Sequence, residues 1–150
     1  MSSMASIPPN PTRIFVDTSV LFAAARSETG FARDLIVAGA RGDLALILSR
    51  FVIEETRRNL ANKAPRALSY LDLFLAFGHA QLVDPPAALV RQVAAHIALK
   101  DAPIVAGAIH AEAKILATYD RKHLLAQADQ IQDRFGITVG TPEAVLASIK

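Results

Sequence analysis

Short apolar runs alternate with longer stretches of helical periodicity along this chain, and that alternation restricts the fold to strands joined by helical crossovers. The runs are Arg13-Ile-Phe-Val-Asp17, Leu44-Ala-Leu-Ile-Leu48, Gln81-Leu-Val83, Ile115 to Thr118 and Ile137 to Val139. Leu44 to Leu48 is apolar without a polar alternate, as expected of a strand covered on both faces. The pattern predicts an α/β domain whose parallel sheet carries helices on both faces, with Ile137 to Val139 as an edge strand.

Helices are predicted from Thr18 to Ala25, with Thr18 or Ser19 as the cap, and from Phe31 to Ala40, ending near Gly42. Ser49 caps a helix running to about Asn62, and Ala67 to Phe77 forms another, stopped by Gly78. Pro85 and Pro86 open a helix that continues to about Leu99, and Asp101-Ala-Pro103 opens one that reaches about Ala113. A further helix follows Asp120, and Pro142 begins the last one. No repeat or low-complexity tract divides the chain, so residues 13–150 read as one domain. The stretch MSSMASIPPNPT, residues 1–12, holds three prolines and lacks the apolar core of a signal peptide, so it reads as a flexible tail.

A chain of 150 residues, 52% of them hydrophobic, can bury one substantial core. It has no cysteine, which excludes a disulfide framework and thiolate metal sites and suits a reducing, cytoplasmic setting. The apolar runs are far shorter than the ~20 residues a membrane helix needs, so no membrane association is expected. Sixteen basic against 14 acidic side chains leave a net charge of +2, a mild excess. Its distribution says more: Arg57, Arg58, Lys63 and Arg66 cluster in one segment, and Arg121 and Lys122 form a second. Each cluster taken singly also fits a solvated helix face.

In open α/β folds the ligand crevice lies beyond the carboxyl ends of the strands, and three acids fall at such turns. Asp17 ends the first strand, Asp101 opens a helix, and Asp120 closes the Ile115 to Thr118 strand. Any one of them alone would read as a helix cap; their recurrence points to a shared site. A fourth acid comes from the neighbours Glu54 and Glu55. Val52, Ile53, Thr56 and Leu60 define the inward stripe of their helix, and at ~100° per residue Glu55 borders that stripe whereas Glu54 faces solvent. The same geometry sets Asp101 on the face of Ile104, Val105 and Ala108. Carboxylates gathered together repel one another and suffer desolvation, and a divalent cation relieves both penalties. Magnesium and manganese favour oxygen ligands and can activate water and stabilise the leaving oxygen in phosphodiester cleavage.

Other chemistries lack their signals. His79, His96, His110 and His123 show no metal-ligand spacing, and no dinucleotide fingerprint, P-loop or nucleophile elbow is present. A haloacid-dehalogenase reading of Phe15-Val-Asp-Thr-Ser19 fails because Ser19 stands where a second aspartate is required.

These segments together resemble the PIN-domain nucleases, above all the single-domain VapC-type toxins of bacterial toxin–antitoxin pairs. Arg13-Ile-Phe-Val-Asp-Thr-Ser-Val-Leu21 is similar to the opening strand with the first acid. Leu48-Ser-Arg-Phe-Val-Ile-Glu-Glu-Thr-Arg-Arg-Asn-Leu60 resembles the helix with the second, and also selects Glu55. Lys100-Asp-Ala-Pro-Ile-Val-Ala-Gly-Ala108 is similar to the third motif and Ile115-Leu-Ala-Thr-Tyr-Asp-Arg-Lys-His-Leu-Leu125 to the fourth. The resemblance implies a three-layer α/β/α fold with a central five-stranded parallel sheet, and an acidic pocket for Mg²⁺ or Mn²⁺ formed by Asp17, Glu55, Asp101 and Asp120. It also implies endonucleolytic cleavage of single-stranded RNA, with Ser19 and Thr118 adding hydroxyls at the pocket rim. Some relatives carry a further acid after the fourth motif, where this chain has Arg121, Lys122 and His123; Arg121 and Lys122 are placed to hold substrate phosphate. A silent module that keeps the fold but only binds RNA or a partner protein is the rival reading. Leu68, Tyr70, Leu71, Leu73, Phe74 and Phe77 make one helix apolar over much of its circumference, which fits either buried core or a surface for a homodimer or an antitoxin.

Overall fold

The computed structural model describes residues 10–149. Five strands, β1 (Arg13–Val16), β2 (Ala45–Leu48), β3 (Gln81–Leu82), β4 (Ile115–Ala117) and β5 (Thr138–Gly140), form one parallel sheet in the order β3-β2-β1-β4-β5. Among the described residues eight α-helices accompany them: α1 (Thr18–Arg26), α2 (Phe31–Ala40), α3 (Arg50–Lys63), α4 (Leu68–Phe77), α5 (Ala87–Ala94), α6 (Ala102–His110), α7 (Ala128–Phe135) and α8 (Pro142–Ser148). Contacts divide them into two layers. α1 packs on α2, α3 and α4, with α8 joined to α2, while α5 packs on α6, and His96 beyond α5 meets Phe135 of α7 edge to face. The architecture is the three-layer α/β/α sandwich that the alternating pattern and the resemblance predict.

The chain builds outward from β1 to β2 and β3, then crosses back to lay β4 and β5 on the other side. The switch point is therefore the β1–β4 seam, where a crevice opens beyond the strand ends. Ile14, Phe15 and Val16 are wholly buried, as a central strand covered on both faces requires. Phe15 meets α6 at Gly107, where an added Cβ would stand 2.7 Å from the ring. That close approach seats α6 on β1 and fixes the start of the helix, with Asp101, beside the end of β1.

Several predicted boundaries move. The first tail residues, 1–9, lie outside the described residues. The carbonyl of Thr12, predicted to belong to the tail, accepts from the Ala45 amide at 2.8 Å and extends the β1–β2 ladder. The helix expected to run to Leu99 stops at Ala94, and a 3₁₀ turn over Leu99–Asp101 delivers Asp101 to the crevice instead. α6 ends at His110 rather than near Ala113, because Glu112 adopts a left-handed φ of 54°. No helix starts directly at Asp120; the chain makes turns there, then a 3₁₀ turn over Leu125–Gln127 leads into α7. Among the described residues no helix is long and apolar enough to cross a membrane.

Candidate active site

Four acids from four separate elements line one cavity of about 370 Å³ at the switch point: Asp17 after β1, Glu55 on α3, Asp101 before α6 and Asp120 after β4. Lys63 and Lys100 share its wall. On α3 the lining residues recur every fourth position, Phe51, Glu55, Asn59 and Lys63, the spacing that aligns side chains along one edge of a helix. Ser49 holds the start of α3 by accepting from the Val52 amide at 3.3 Å, and Val52, Thr56 and Leu60 bury the adjacent stripe. Glu55 is consequently half-buried at the border of that stripe, and Glu54 is exposed.

Asp17 is 7% exposed. It occupies the N-cap position of α1, yet its side chain makes no capping bond. Its Oδ2 instead accepts from Ser19 Oγ at 2.8 Å and Thr118 Oγ1 at 2.8 Å. Neither Thr18 nor Ser19 caps α1 as predicted, since both hydroxyls are spent on the site: Thr18 Oγ1 donates to Glu55 Oε1 at 2.7 Å. Burial pushes the Asp17 carboxyl above its ordinary range, and the hydroxyl and amide donors around it pull partly back.

Thr118 couples the two central acids. While donating to Asp17, its hydroxyl accepts from the Asp120 amide at 2.9 Å, and Ser19 Oγ does the same for the Tyr119 amide at 2.9 Å. The β4 turn is thereby pinned to the β1 turn. Asp120 Oδ1 accepts from the His123 amide at 3.1 Å and lies 3.1 Å from its ring nitrogen Nδ1. Lys100 Nζ lies 2.9 Å from the same nitrogen. Asp101, 5% exposed, also stands at a helix N-cap without capping; its side chain accepts a hydrogen bond from Gln127 Nε2 at 3.3 Å.

All four acids named from the sequence thus reach one cavity. Ser19 and Thr118 act on Asp17 directly. Arg121 and Lys122 are exposed on the turn after Asp120 and do not line the cavity. His79, His96 and His110 are exposed and outside it. Sequence reasoning missed Thr18, Asn59, Lys100 and Gln127; the four-residue stripe on α3 was the available signal for Asn59.

The donor set fits a hard divalent cation. Every acidic ligand candidate is an oxygen donor, and a buried Asp17 carboxylate gains most from a nearby positive charge. Among the described residues no three His, Asp or Glu side chains stand close enough to form a complete protein cage.

A parallel sheet with its crevice at the β1–β4 seam, floored by acids from four elements, defines a carboxylate-centred α/β domain. Residues 14–147 match the model of the PIN domain, and the chain belongs to that family. Solved structures share the fold. A Pyrobaculum aerophilum protein, PAE2754, superposes with a TM-score of 0.62 at 22% identity over 92% of this chain and 89% of its own. VapBC2 from Rickettsia felis, bound to a DNA fragment from its promoter, gives 0.63 at 17% identity over 85% of this chain and 97% of its own. The Mycobacterium tuberculosis toxin VapC20, described as cleaving the sarcin-ricin loop, gives 0.56 at 19% identity over 75% and 94%. No curated protein matches the sequence significantly.

Proposed function

We propose that this PIN-domain protein is a divalent-metal-dependent endoribonuclease that hydrolyses single-stranded RNA in the cytoplasm, as the toxin of a toxin–antitoxin pair. The observation that carries this reading is the convergence of Asp17, Glu55, Asp101 and Asp120 on one cavity beside Lys63 and Lys100. The similarity in fold to VapC20 and to VapBC2 supports it.

In this reading the four acids hold Mg²⁺ or Mn²⁺ directly or through water. The ion, when bound, supplies Lewis acidity and a more acidic water for attack on phosphorus. Ser19 and Thr118 donate to Asp17 Oδ2 and offset part of the cost of burying its charge, and Thr18 fixes the Glu55 carboxylate. Lys63 and Lys100 hold the phosphate against the pocket, with Arg121 and Lys122 meeting the backbone just outside. The exposed side of α4, with Leu73 58% and Phe77 71% exposed, is the surface we assign to a homodimer or an antitoxin; Leu71 and Phe74 on the same helix are core.

The test is cleavage of unstructured RNA by the purified protein. Activity with Mg²⁺ or Mn²⁺ that stops with EDTA and is lost in Asp17→Asn supports the reading. Full activity in that variant contradicts it, and calorimetry showing no divalent-ion binding would favour the silent binding module.

A further inference from the structure

We infer that a second, basic groove adjoining the carboxylate pocket binds the phosphate backbone of the RNA strand outside the cleaved linkage; this builds on the ribonuclease reading above. The groove, about 760 Å³, lies among the end of α1, the start of α2 and the turn joining α3 to α4. It carries Arg26, Arg33, Lys63 and Arg66 against one acid, Glu28. Lys63 lines both hollows, so the groove and the pocket adjoin at that side chain.

None of these four cations has an ion-pair partner among the described residues, whereas Arg50 and Arg57 nearby in sequence are paired with Asp84 and Asp72. Unneutralised like charges concentrated in one concavity raise the local concentration of a polyanion. Arg33 is pre-positioned: its Nε donates to the Ala24 carbonyl at 2.8 Å and its guanidinium lies 3.7 Å from the centre of the Tyr70 ring. The terminal nitrogens remain available for phosphate, and a guanidinium fork matches phosphate oxygens in bidentate geometry.

The neighbouring pocket makes such an anchor necessary. Its four carboxylates outnumber Lys63 and Lys100, so the pocket alone repels the strand it is proposed to cut. Phosphates flanking the scissile one need cations beyond the acids, and the groove supplies them next to the pocket. That adjacency to the proposed cleavage pocket favours RNA over an acidic protein segment as the occupant.

Arg26→Gln combined with Arg66→Gln removes two exposed charges without altering a residue that lines the pocket. Binding of an oligouridylate of about 12 nucleotides in EDTA, followed by fluorescence anisotropy, reads the effect: two phosphate contacts at about 0.7 each lower the slope of log affinity against log salt by about 1.4. The same exponent gives a roughly 25-fold loss of affinity near 0.1 M salt. Cleavage of a dinucleotide that spans only the pocket should be unaltered. An unchanged slope in a variant that melts like wild type overturns the groove assignment, even if RNA cleavage is normal. Loss of poly-L-glutamate binding with the RNA slope intact also overturns it, giving the groove to an acidic protein segment. A reduced slope in a protein that never cleaves RNA keeps the groove and removes the ribonuclease reading.

Discussion

Replacing Thr118 by valine keeps the shape of the side chain and deletes one oxygen that serves two turns at once. The hydroxyl is fully buried, donates to the Asp17 carboxyl and accepts from the Asp120 amide. A hydrogen bond to a charged group contributes about 1.5–3 kcal/mol and a neutral one about 0.5–1.5, so the two together are worth about 2–4.5 kcal/mol. For a domain of this size that lowers Tm by roughly 4–18 °C. The assay is urea unfolding by circular dichroism in EDTA, where the midpoint should fall without a change in slope. The loss should also depend on pH. Burial raises the Asp17 carboxyl above its ordinary 3.8, and the Thr118 bond lowers it, so the variant's carboxyl titrates higher still. An acid raised in the folded state takes up protons on folding, so stability falls as pH rises from its unfolded value through its folded one. Thr118→Val widens that interval, and its deficit should be larger near pH 8 than near pH 4. A deficit below about 0.5 kcal/mol, or one identical at both pH values, would refute the coupling assigned to this hydroxyl.

Asp17→Asn removes a buried charge while retaining an acceptor for Ser19 and Thr118, so without metal it should melt at or above wild type and should lose any Mg²⁺-induced rise; a clear fall in EDTA would contradict this. Gly107→Ala drives a Cβ into the buried Phe15 ring, and overpacking of about 1–3 kcal/mol should outweigh the ~1 kcal/mol gain in helix propensity, seen as a lower Tm. Leu71→Ala, at a fully buried position, should lose about 2–5 kcal/mol in denaturant unfolding. Leu73→Ser with Phe77→Ser, both on the exposed side of α4, should convert a dimer to a monomer in sedimentation; a wild-type monomer removes the dimer.

The sheet was legible where burial on both faces leaves no alternative pattern: β1 and β2 read as unbroken apolar runs, and Ile14, Phe15 and Val16 are indeed wholly buried. β5 begins at Thr138, one residue later than its apolar run suggests. The end of α5 was not legible, because Ala95 to Lys100 contains no breaker. The chain leaves the helix there for a tertiary reason, to bring Asp101 round to the β1–β4 seam. The acids were legible as strand ends and as the border of a helical stripe, since position relative to burial follows from periodicity. Their supports were not. Thr18 reaches Glu55 across 37 residues and Thr118 reaches Asp17 across 101, distances in sequence that local patterns do not encode. The basic cluster Arg57, Arg58, Lys63 and Arg66 also divides in space: Arg57 pairs with Asp72, while Lys63 and Arg66 turn to the groove.

Paramagnetic broadening by Mn²⁺ in the amide NMR spectrum tests most directly whether four distant acids form one divalent-ion site. Titration should broaden the signals around Asp17, Glu55, Asp101 and Asp120 together, leave those around Gly136 sharp, and be reversed by excess Mg²⁺. Broadening confined to one of the four segments, or spread evenly over the surface, would contradict it.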